Sequence, residues 1–364
     1  MNQLNAYKSS SKLQWLFVLW VCLIRVDPFV FSNAIEYFPN KLVFVSSIVL
    51  MLMLLVMKGR IILGDKVIIT ILLVQTVFSP VYALVHMDIN YINIASHAIV
   101  FLLVYIFIIN FISMEKVAVS FIAIFMVMGL MSIVVVLLSI YGLQPISSFQ
   151  NPDGRMSYNY ILTFSNAVFD YSDFSLVRPA GFFDEPGKLA LYLVYILVIN
   201  KLLNWSKKAE WVLIISGLFT LSLAFFISLV FYFLFFYMNK RSFPALLLVI
   251  SVIAGSGVYI NKMKGDSSVA YAIYKHTIWR IELSESEDKL VKGDGRSKLA
   301  LEAAKVFSEN KVLGYGRTKS TKDYENLSAN IMVPFATDGI VGVFFVYLLV
   351  IYMIFLIFTQ TSKS

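Results

Sequence analysis

Residues 178–198, RPAGFFDEPGKLALYLVYILV, join a short polar stretch to an uninterrupted apolar run. Pro186 fits the first position of a helix, where the N–H that proline lacks would have no partner in any case. Glu185 would then cap that helix, because the helix dipole favours a carboxylate there. The apolar run has the composition of a membrane-spanning helix. The segment therefore predicts a cluster of charged residues at the end of a membrane span.

The whole chain shares this apolar character. Of its 364 residues, 59% are hydrophobic and 14% are charged, whereas a soluble domain carries about 25% charged residues. The mean hydropathy is +0.79. Continuous apolar runs recur along the chain and lack the period-two alternation of a membrane barrel. We expect an all-α integral membrane protein, a polytopic bundle of about ten transmembrane helices that forms a single transmembrane domain over residues 1–364.

Nine apolar runs are candidate spans: residues 13–31, 41–57, 67–86, 91–112, 117–141, 187–203, 211–238, 243–260 and 331–358. As one helix, residues 211–238 would be about 42 Å long, against a hydrocarbon core of about 30 Å. We expect a break near Thr220–Ser222 that divides this run into two short or re-entrant segments, which gives ten spans. The alternative is one long tilted helix and nine spans.

Lys and Arg beside the spans set the orientation, because they concentrate on the cytoplasmic side. The flanking basic residues are Lys8, Lys12, Lys58, Arg60, Lys116, Lys201, Lys207, Lys208, Lys240, Arg241 and Lys363. With all of them inside, both termini are cytoplasmic, and residues 142–186 and 261–330 form two outer loops. The net charge of +8 follows from this pattern and does not indicate nucleic acid as a partner. The first apolar run is interrupted by charges and lacks a cleavage pattern, so we expect a retained span.

The two outer loops hold most of the unusual polar residues. The first is rich in Asn, Ser, Tyr and Phe, a composition that suits stacking on sugar rings and also suits the lipid headgroup level. In the second, Leu299, Ala303 and Phe307 recur at four-residue spacing, which predicts an amphipathic helix on the membrane surface or against the bundle. Asp294 or Ser297 would cap its start.

Arginine side chains are concentrated in these loops. They are Arg155, Arg178, Arg280, Arg296 and Arg317. The planar guanidinium binds phosphate through two hydrogen bonds, so several outer arginines predict an anion site; the alternative is that each pairs with an acid or with lipid phosphate. Pro179 and Gly181 keep Arg178 in irregular backbone, where the sequence indicates no local structural partner for it.

Polar residues within the spans, the cysteine and the histidines give weaker indications of function. Four of them lie inside candidate spans and should face the bundle, because they are costly in lipid: Arg25, Asp27, Gln75 and His97. The single cysteine, Cys22, permits no intrachain disulfide, and the three histidines are scattered. We therefore expect no metal site.

Several motifs together resemble those of a known family. RPAGFFDEP at 178–186 resembles the R-P-x-G-x-F-x-E-P stretch of bacterial O-antigen and capsular polysaccharide polymerases. Residues 295–316 and 330–349 are similar to the C-terminal signature shared by O-antigen polymerases and ligases: an arginine opens a helix, a V-L-G-x-G turn ends it, and G-I-x-G starts the next span. TLS at 220–222 resembles the T-x-S that divides a hairpin in that family. The chain departs at the H-N pair of many relatives, where it has Ser328 and Asn330.

The resemblance, which covers about residues 178–350, implies a function. Such enzymes are glycosyltransferases of the bacterial cytoplasmic (inner) membrane in lipopolysaccharide, capsule or exopolysaccharide biosynthesis. They take a glycan from undecaprenyl diphosphate at the outer face and move it to the next lipid-linked repeat unit. The resemblance implies the lipid-linked oligosaccharide and membrane lipid as ligands, and a flippase and a chain-length regulator as protein partners. No nucleotide donor, cofactor or metal is implied, and the sequence lacks a D-x-D motif. The alternatives are an O-antigen ligase, a flippase or transporter of lipid-linked glycan, or a membrane scaffold.

The resemblance also implies roles for particular residues. The catalytic residues would be Arg178, Glu185 and Arg296, of which the arginines bind the diphosphate leaving group. We expect Glu185 or Asp184 to act as general base. The expected substrate-binding residues are Arg317, Asp184, Arg280 and Asn330.

The predicted topology can be tested by labelling. In a background without Cys22, cysteines at positions 155 and 290 should react with a membrane-impermeant thiol reagent in intact spheroplasts, because both lie in outer loops. A cysteine at position 207 should react only after the membrane is opened. Labelling of position 207 but not of 155 or 290 in intact cells would reverse the assigned orientation.

Overall fold

The fold is described from a computed structural model of the chain. It describes residues 11–24, 40–150, 156–166, 168–170, 175–237, 255, 257–263, 265, 270–271, 274, 278–281, 297–324, 330 and 332–361. The helices are α1 (Ser11–Ile24), α2 (Asn40–Lys58), α3 (Lys66–His86), α4 (Asn90–Phe111), α5 (Met114–Ile140), α6 (Pro186–Leu202), α7 (Lys207–Phe219), α8 (Leu223–Tyr237), α9 (Ile278–Ile281), α10 (Ser297–Glu309), α11 (Arg317–Asp323) and α12 (Val333–Thr361). The strands are β1 (Ser147–Gln150), β2 (Met156–Asn159), β3 (Phe164–Ser165), β4 (Val168–Asp170) and β5 (Ser175–Val177).

The helices are compatible with a membrane protein. By length and composition, α3, α4 and α5 can each cross a membrane, and α12 is a bent fourth candidate. Helices also occupy the described parts of the other predicted runs, except that residues 243–260 lie mostly outside the described residues. The number of about ten spans stays a prediction.

The chain divides into two compact units. One comprises Met1–Phe44 and Ile112–Glu282, and the other comprises Val45–Phe111 and Leu283–Ser364. We call them the first and the second unit.

The core of the first unit is formed by α5, α6, α7 and α8. Leu189, Leu193 and Leu213 are fully buried there, beside the nearly buried Phe125 and Phe225. Residues 142–186, predicted as the first outer loop, contain an antiparallel three-stranded sheet in the order β1-β2-β3 and an antiparallel β4-β5 pair. The expectation of an all-α chain is therefore wrong for this loop.

Helices α7 and α8 form an antiparallel hairpin. Glu210 in the first turn of α7 accepts hydrogen bonds from the hydroxyls of Tyr232, at 2.5 Å, and Tyr237, both near the end of α8. The predicted break at Thr220–Ser222 is confirmed. With 13 and 15 residues, the helices are only about 20 Å long, so the chain turns back instead of continuing as one long span.

In the second unit, α12 runs antiparallel to α3. Near the start of α12, the Tyr82 hydroxyl of α3 donates to the Asp338 carbonyl at 2.7 Å. Near its other end, the Tyr352 hydroxyl donates to the carboxylate of Asp65, which caps α3. Midway, Gln75 Nε2 donates to the Phe345 carbonyl at 2.7 Å, so Gln75 faces the bundle as expected.

His97 does not meet the same expectation. Its side chain is exposed, and Nδ1 lies 2.5 Å from the Asn93 carbonyl of its own helix. A helical side chain can bond to the carbonyl four residues earlier, so His97 needs no partner on another helix. Arg25 and Asp27 lie outside the described residues.

Helix α12 is broken at Gly339, where it meets the turn at residues 311–316. The backbone there is non-helical, with φ 64° and ψ −176°. Across the break the two segments exchange backbone hydrogen bonds: Tyr315 N–H donates to Ala336, and Ile340 N–H donates to Lys311, at 2.8 and 2.9 Å. Gly314 and Gly339 lie back to back, and a Cβ on either would come within 2.4 Å of the other's backbone nitrogen. Two glycines therefore permit the contact.

Helix α10 confirms the predicted amphipathic helix. Ala303 and Val306 on its inner face are buried and pack with Ala336 of α12, and Phe307 is partly buried beside them. Of the two expected locations, the observed one is against other helices.

The glycine contact predicts a large effect of an added methyl group. Gly339→Ala and Gly314→Ala should each lower the free energy of unfolding in detergent by at least about 3 kcal/mol, because the methyl would collide with backbone in addition to the positive φ. Gly59→Ala is the matched control, since φ there is +71° and no atom lies within 4 Å of its Cβ position; we expect a loss of about 1 kcal/mol. Equal losses in all three variants would show that the collision does not matter.

Candidate functional site

Arg178 holds the tip of the α7–α8 hairpin. Its side chain is largely buried, with 8% of the residue exposed. The guanidinium Nε donates to the Thr220 carbonyl at 3.0 Å, and Nη2 donates to the Leu221 carbonyl at 3.2 Å. Carbonyl groups at the end of a helix lack hydrogen-bond donors within the helix. Arg178 supplies donors to the two carbonyls that directly follow α7. The sequence indicates no local partner for Arg178, and the structure gives it a partner 42 residues away in the chain.

The backbone around Arg178 is fixed by the preceding loop. Phe164 and Gly181 form an isolated bridge, in which Phe164 N–H donates to the Gly181 carbonyl at 2.8 Å and Ala180 N–H donates to Phe164 at 2.7 Å. Gly181 has φ 61°, and a Cβ there would lie 2.6 Å from the Met128 sulfur. Tight packing at Gly181 therefore holds the segment around Arg178 against α5.

The two candidate bases lie directly before α6. Pro186 begins α6 and Glu185 occupies the capping position, as predicted, but the Glu185 carboxylate makes no capping hydrogen bond to the helix. Asp184 forms an ion pair of 2.9 Å with Lys188, in which both side chains are partly exposed. A pair at this exposure is weak.

A second polar cluster lies in the second unit, around Arg317 at the start of α11. Its Nε and Nη2 donate to the two carboxylate oxygens of Asp338, at 3.0 and 2.6 Å. The Asp338 side chain is 2% exposed and that of Arg317 is 37% exposed. The hydrogen bond to Asp338 raises the pKa of Arg317 above its ordinary value. Tyr91 lies under the guanidinium, 5.3 Å from ring centre to guanidinium carbon, and its hydroxyl donates to Asp338 at 2.9 Å.

The turn between α3 and α4 fixes the start of α11. The Asp88 carboxylate accepts hydrogen bonds from the backbone N–H and the hydroxyl of Thr318, each at 2.7 Å. Burial raises the pKa of Asp88, but the bonds from Thr318 outweigh that effect, and the net pKa lies below the usual range. His86 Nε2 lies 2.9 Å from the Leu313 carbonyl.

The remaining predicted site residues are placed as follows. Asn330 Oδ1 accepts a bond from Met332 N–H at 2.9 Å, directly before α12, so it has a local structural role. Arg280 lies in the short helix α9. Arg296 and Arg155 lie outside the described residues.

Sequence reasoning missed Asp338, Asp88 and Tyr91. One signal was present: Asp338 is the only charged residue in the run 331–358, and an ionisable residue in such a run marks a partner or a functional site. Asp88 and Tyr91 carry no comparable signal.

Within the described part of the chain, no three His, Cys, Asp or Glu side chains lie close enough together to hold a metal ion. Comparisons of the chain with family models, with curated proteins and with solved structures gave no match.

The Arg178 contact can be tested by hydrogen exchange. Arg178→Met should speed amide exchange at residues 221–226 and lower the free energy of unfolding by about 1–3 kcal/mol, because a buried carbonyl and a partly buried one lose their donors. Lys188→Met, which changes a more exposed cation of the same segment, should leave these amides unaffected. Unchanged exchange in Arg178→Met would show that the hairpin tip does not need the guanidinium.

The Asp88 contact predicts a dependence on pH. Because its folded pKa is depressed, its stabilisation is present above the unfolded pKa of about 4 and is lost as pH falls through the folded pKa. Asp88→Asn should lower the free energy of unfolding by about 1–3 kcal/mol at pH 7, and its difference from the unsubstituted chain should shrink towards pH 3. Glu309→Gln on the exposed face of α10 is the control. A difference that stays constant with pH would contradict the assigned bonds.

Proposed function

We propose that the chain is a polysaccharide repeat-unit polymerase, a glycosyltransferase that acts at the outer face of the cytoplasmic membrane. It moves a glycan from undecaprenyl diphosphate to the next lipid-linked repeat unit. The observation that carries the proposal is a contact between two motifs of the resemblance. Arg178 of RPAGFFDEP is bonded to the TLS tip of the hairpin, although the two are 42 residues apart.

A second pair of motifs supports the proposal in the same way. In the G-I-V-G stretch at 339–342, Val341 N–H donates to the Val312 carbonyl of the V-L-G-Y-G turn at 312–316, at 3.2 Å. Short motifs that match a family by chance are not expected to contact each other in the folded chain. Motifs that belong to one functional site are expected to lie close together.

The geometry of the hairpin supports an outer location for both loops. Because α7 and α8 are antiparallel, the chain returns to the side from which it entered. That return is what the ten-span topology requires. It would place residues 142–186 and 261–330 on the face where lipid-linked glycans are polymerised.

The chemistry assigns a role to each charged group. Departure of a lipid diphosphate from the anomeric carbon develops negative charge on the leaving oxygen, which fixed guanidinium groups stabilise. In the proposal, Arg178 and Arg296 bind the diphosphate, and Arg317 and Arg280 assist. Glu185 or Asp184 is the general base, and Asp184 is paired with Lys188. The acceptor hydroxyl gives its proton to this base as the new glycosidic bond forms and the bond to the diphosphate breaks.

A deletion strain tests the proposed function. Loss of the chain should abolish the polysaccharide ladder on a gel and leave a single repeat unit attached to the acceptor. Complete loss of the capped acceptor would favour the ligase or the flippase instead.

Variants test the assigned arginine in the same strain. Arg296→Ala should abolish extension while the protein is still expressed and inserted, because a cation at the leaving group is lost. Lys305→Ala, on the exposed side of α10, is the control and should restore the ladder. A normal ladder from Arg296→Ala would remove its role. Arg178→Ala should also abolish extension, but it loosens the hairpin as well and is therefore less decisive.

A further inference from the structure

The guanidinium of Arg317 has one engaged edge and one open edge. Nε and one hydrogen of Nη2 are bound to Asp338. The guanidinium has five N–H donors, and the remaining three have no hydrogen-bond partner among the described residues. The side chain is 37% exposed, so a ligand can reach it from solvent.

The engaged edge is held by a carboxylate that cannot readily move. Asp338 is the last residue before the helix break at Gly339. Its carboxylate also accepts the Tyr91 hydroxyl, and its carbonyl accepts the Tyr82 hydroxyl. Because a buried carboxylate is costly without a paired cation, the Asp338 geometry dictates where the guanidinium lies.

The backbone of Arg317 is held in place as well. Gly316, with φ 92°, permits the turn into α11, and Asp88 anchors the next residue, Thr318. An arginine on so short a helix would otherwise lose considerable side-chain entropy on binding a ligand. Here that freedom is already restricted before any ligand arrives.

We propose that Asp338 is a positioning residue, which holds Arg317 so that the open edge of its guanidinium binds a phosphate group of the lipid diphosphate. The inference rests on the proposed function for the identity of the ligand. The edge presents parallel N–H donors, which match two oxygens of one phosphate. Lys319 is exposed on the same helix, but its ammonium group does not offer that geometry.

A purely structural ion pair makes a different prediction. If Arg317 served only to neutralise Asp338, replacing both residues by neutral hydrogen-bonding side chains would restore the chain fully, because no buried charge is left unpaired. If Arg317 also binds a ligand, the same double variant regains stability but not binding.

The test measures binding of farnesyl diphosphate to the full chain in nanodiscs, with inorganic pyrophosphate as a second probe. Arg317→Lys and Asp338→Asn should each weaken farnesyl diphosphate binding by about tenfold to a hundredfold, because a charge-assisted bond is lost or misaligned. Lys319→Gln, the matched control on the same helix, should stay within about twofold. Arg317→Gln/Asp338→Asn should melt at a higher temperature than either of its single variants and bind as weakly as Arg317→Lys.

Defined outcomes would overturn the inference. Binding by Asp338→Asn that equals that of the unsubstituted chain removes the positioning role, and a double variant that regains binding makes the pair structural. Pyrophosphate binding that depends on Asp338, without farnesyl diphosphate binding, overturns the lipid carrier as ligand. If Asp338-dependent binding is found but a strain without the chain still makes the full ladder, the phosphate site stands and the polymerase assignment fails.

Discussion

A break in a membrane helix leaves backbone N–H and C=O groups that need partners, since lipid offers none. Two breaks among the described helices, at Thr220–Ser222 and at Gly339, each meet that constraint with groups from the same compact unit. At the tip of α7 and α8, Arg178 supplies donors to the Thr220 and Leu221 carbonyls. At Gly339, the turn at 311–316 supplies both donors and acceptors, and Tyr82 donates to the carbonyl of Asp338. The irregular backbone and the polar side chains therefore depend on each other.

This dependence explains why the charged residues of the loops lie at particular positions. Polar groups gathered at a broken helix are held by many bonds, so they are already oriented when a ligand arrives. Arg178 therefore has two roles. It donates hydrogen bonds to the hairpin tip, and in the proposed function it also binds the leaving group. In Arg317 the two roles fall to different edges of one guanidinium: one edge binds Asp338, and in our proposal the other edge binds the ligand. A catalytic test on Arg178 alone is therefore harder to interpret than one on Arg296 or Arg317.

Much of the helical framework could be predicted from the sequence, because long apolar runs have one favourable arrangement. The length of residues 211–238 predicted the break at Thr220–Ser222, and the four-residue spacing of Leu299, Ala303 and Phe307 predicted α10. The strands at 147–177 could not be predicted, because they are two to four residues long and carry too little alternation. The partner of Arg178 could not be predicted either, since a backbone carbonyl leaves no side-chain signature.

Elongation in a purified system is the most direct test of the proposed polymerase activity. The full chain is reconstituted in liposomes with a synthetic repeat unit on undecaprenyl diphosphate. No nucleotide sugar is added, and a metal chelator is present in excess. We expect a ladder of longer lipid-linked glycans with release of one undecaprenyl diphosphate per bond formed, and Arg296→Ala should produce neither. Movement of the lipid-linked unit across the bilayer without new glycosidic bonds would rule out the polymerase and identify a transporter.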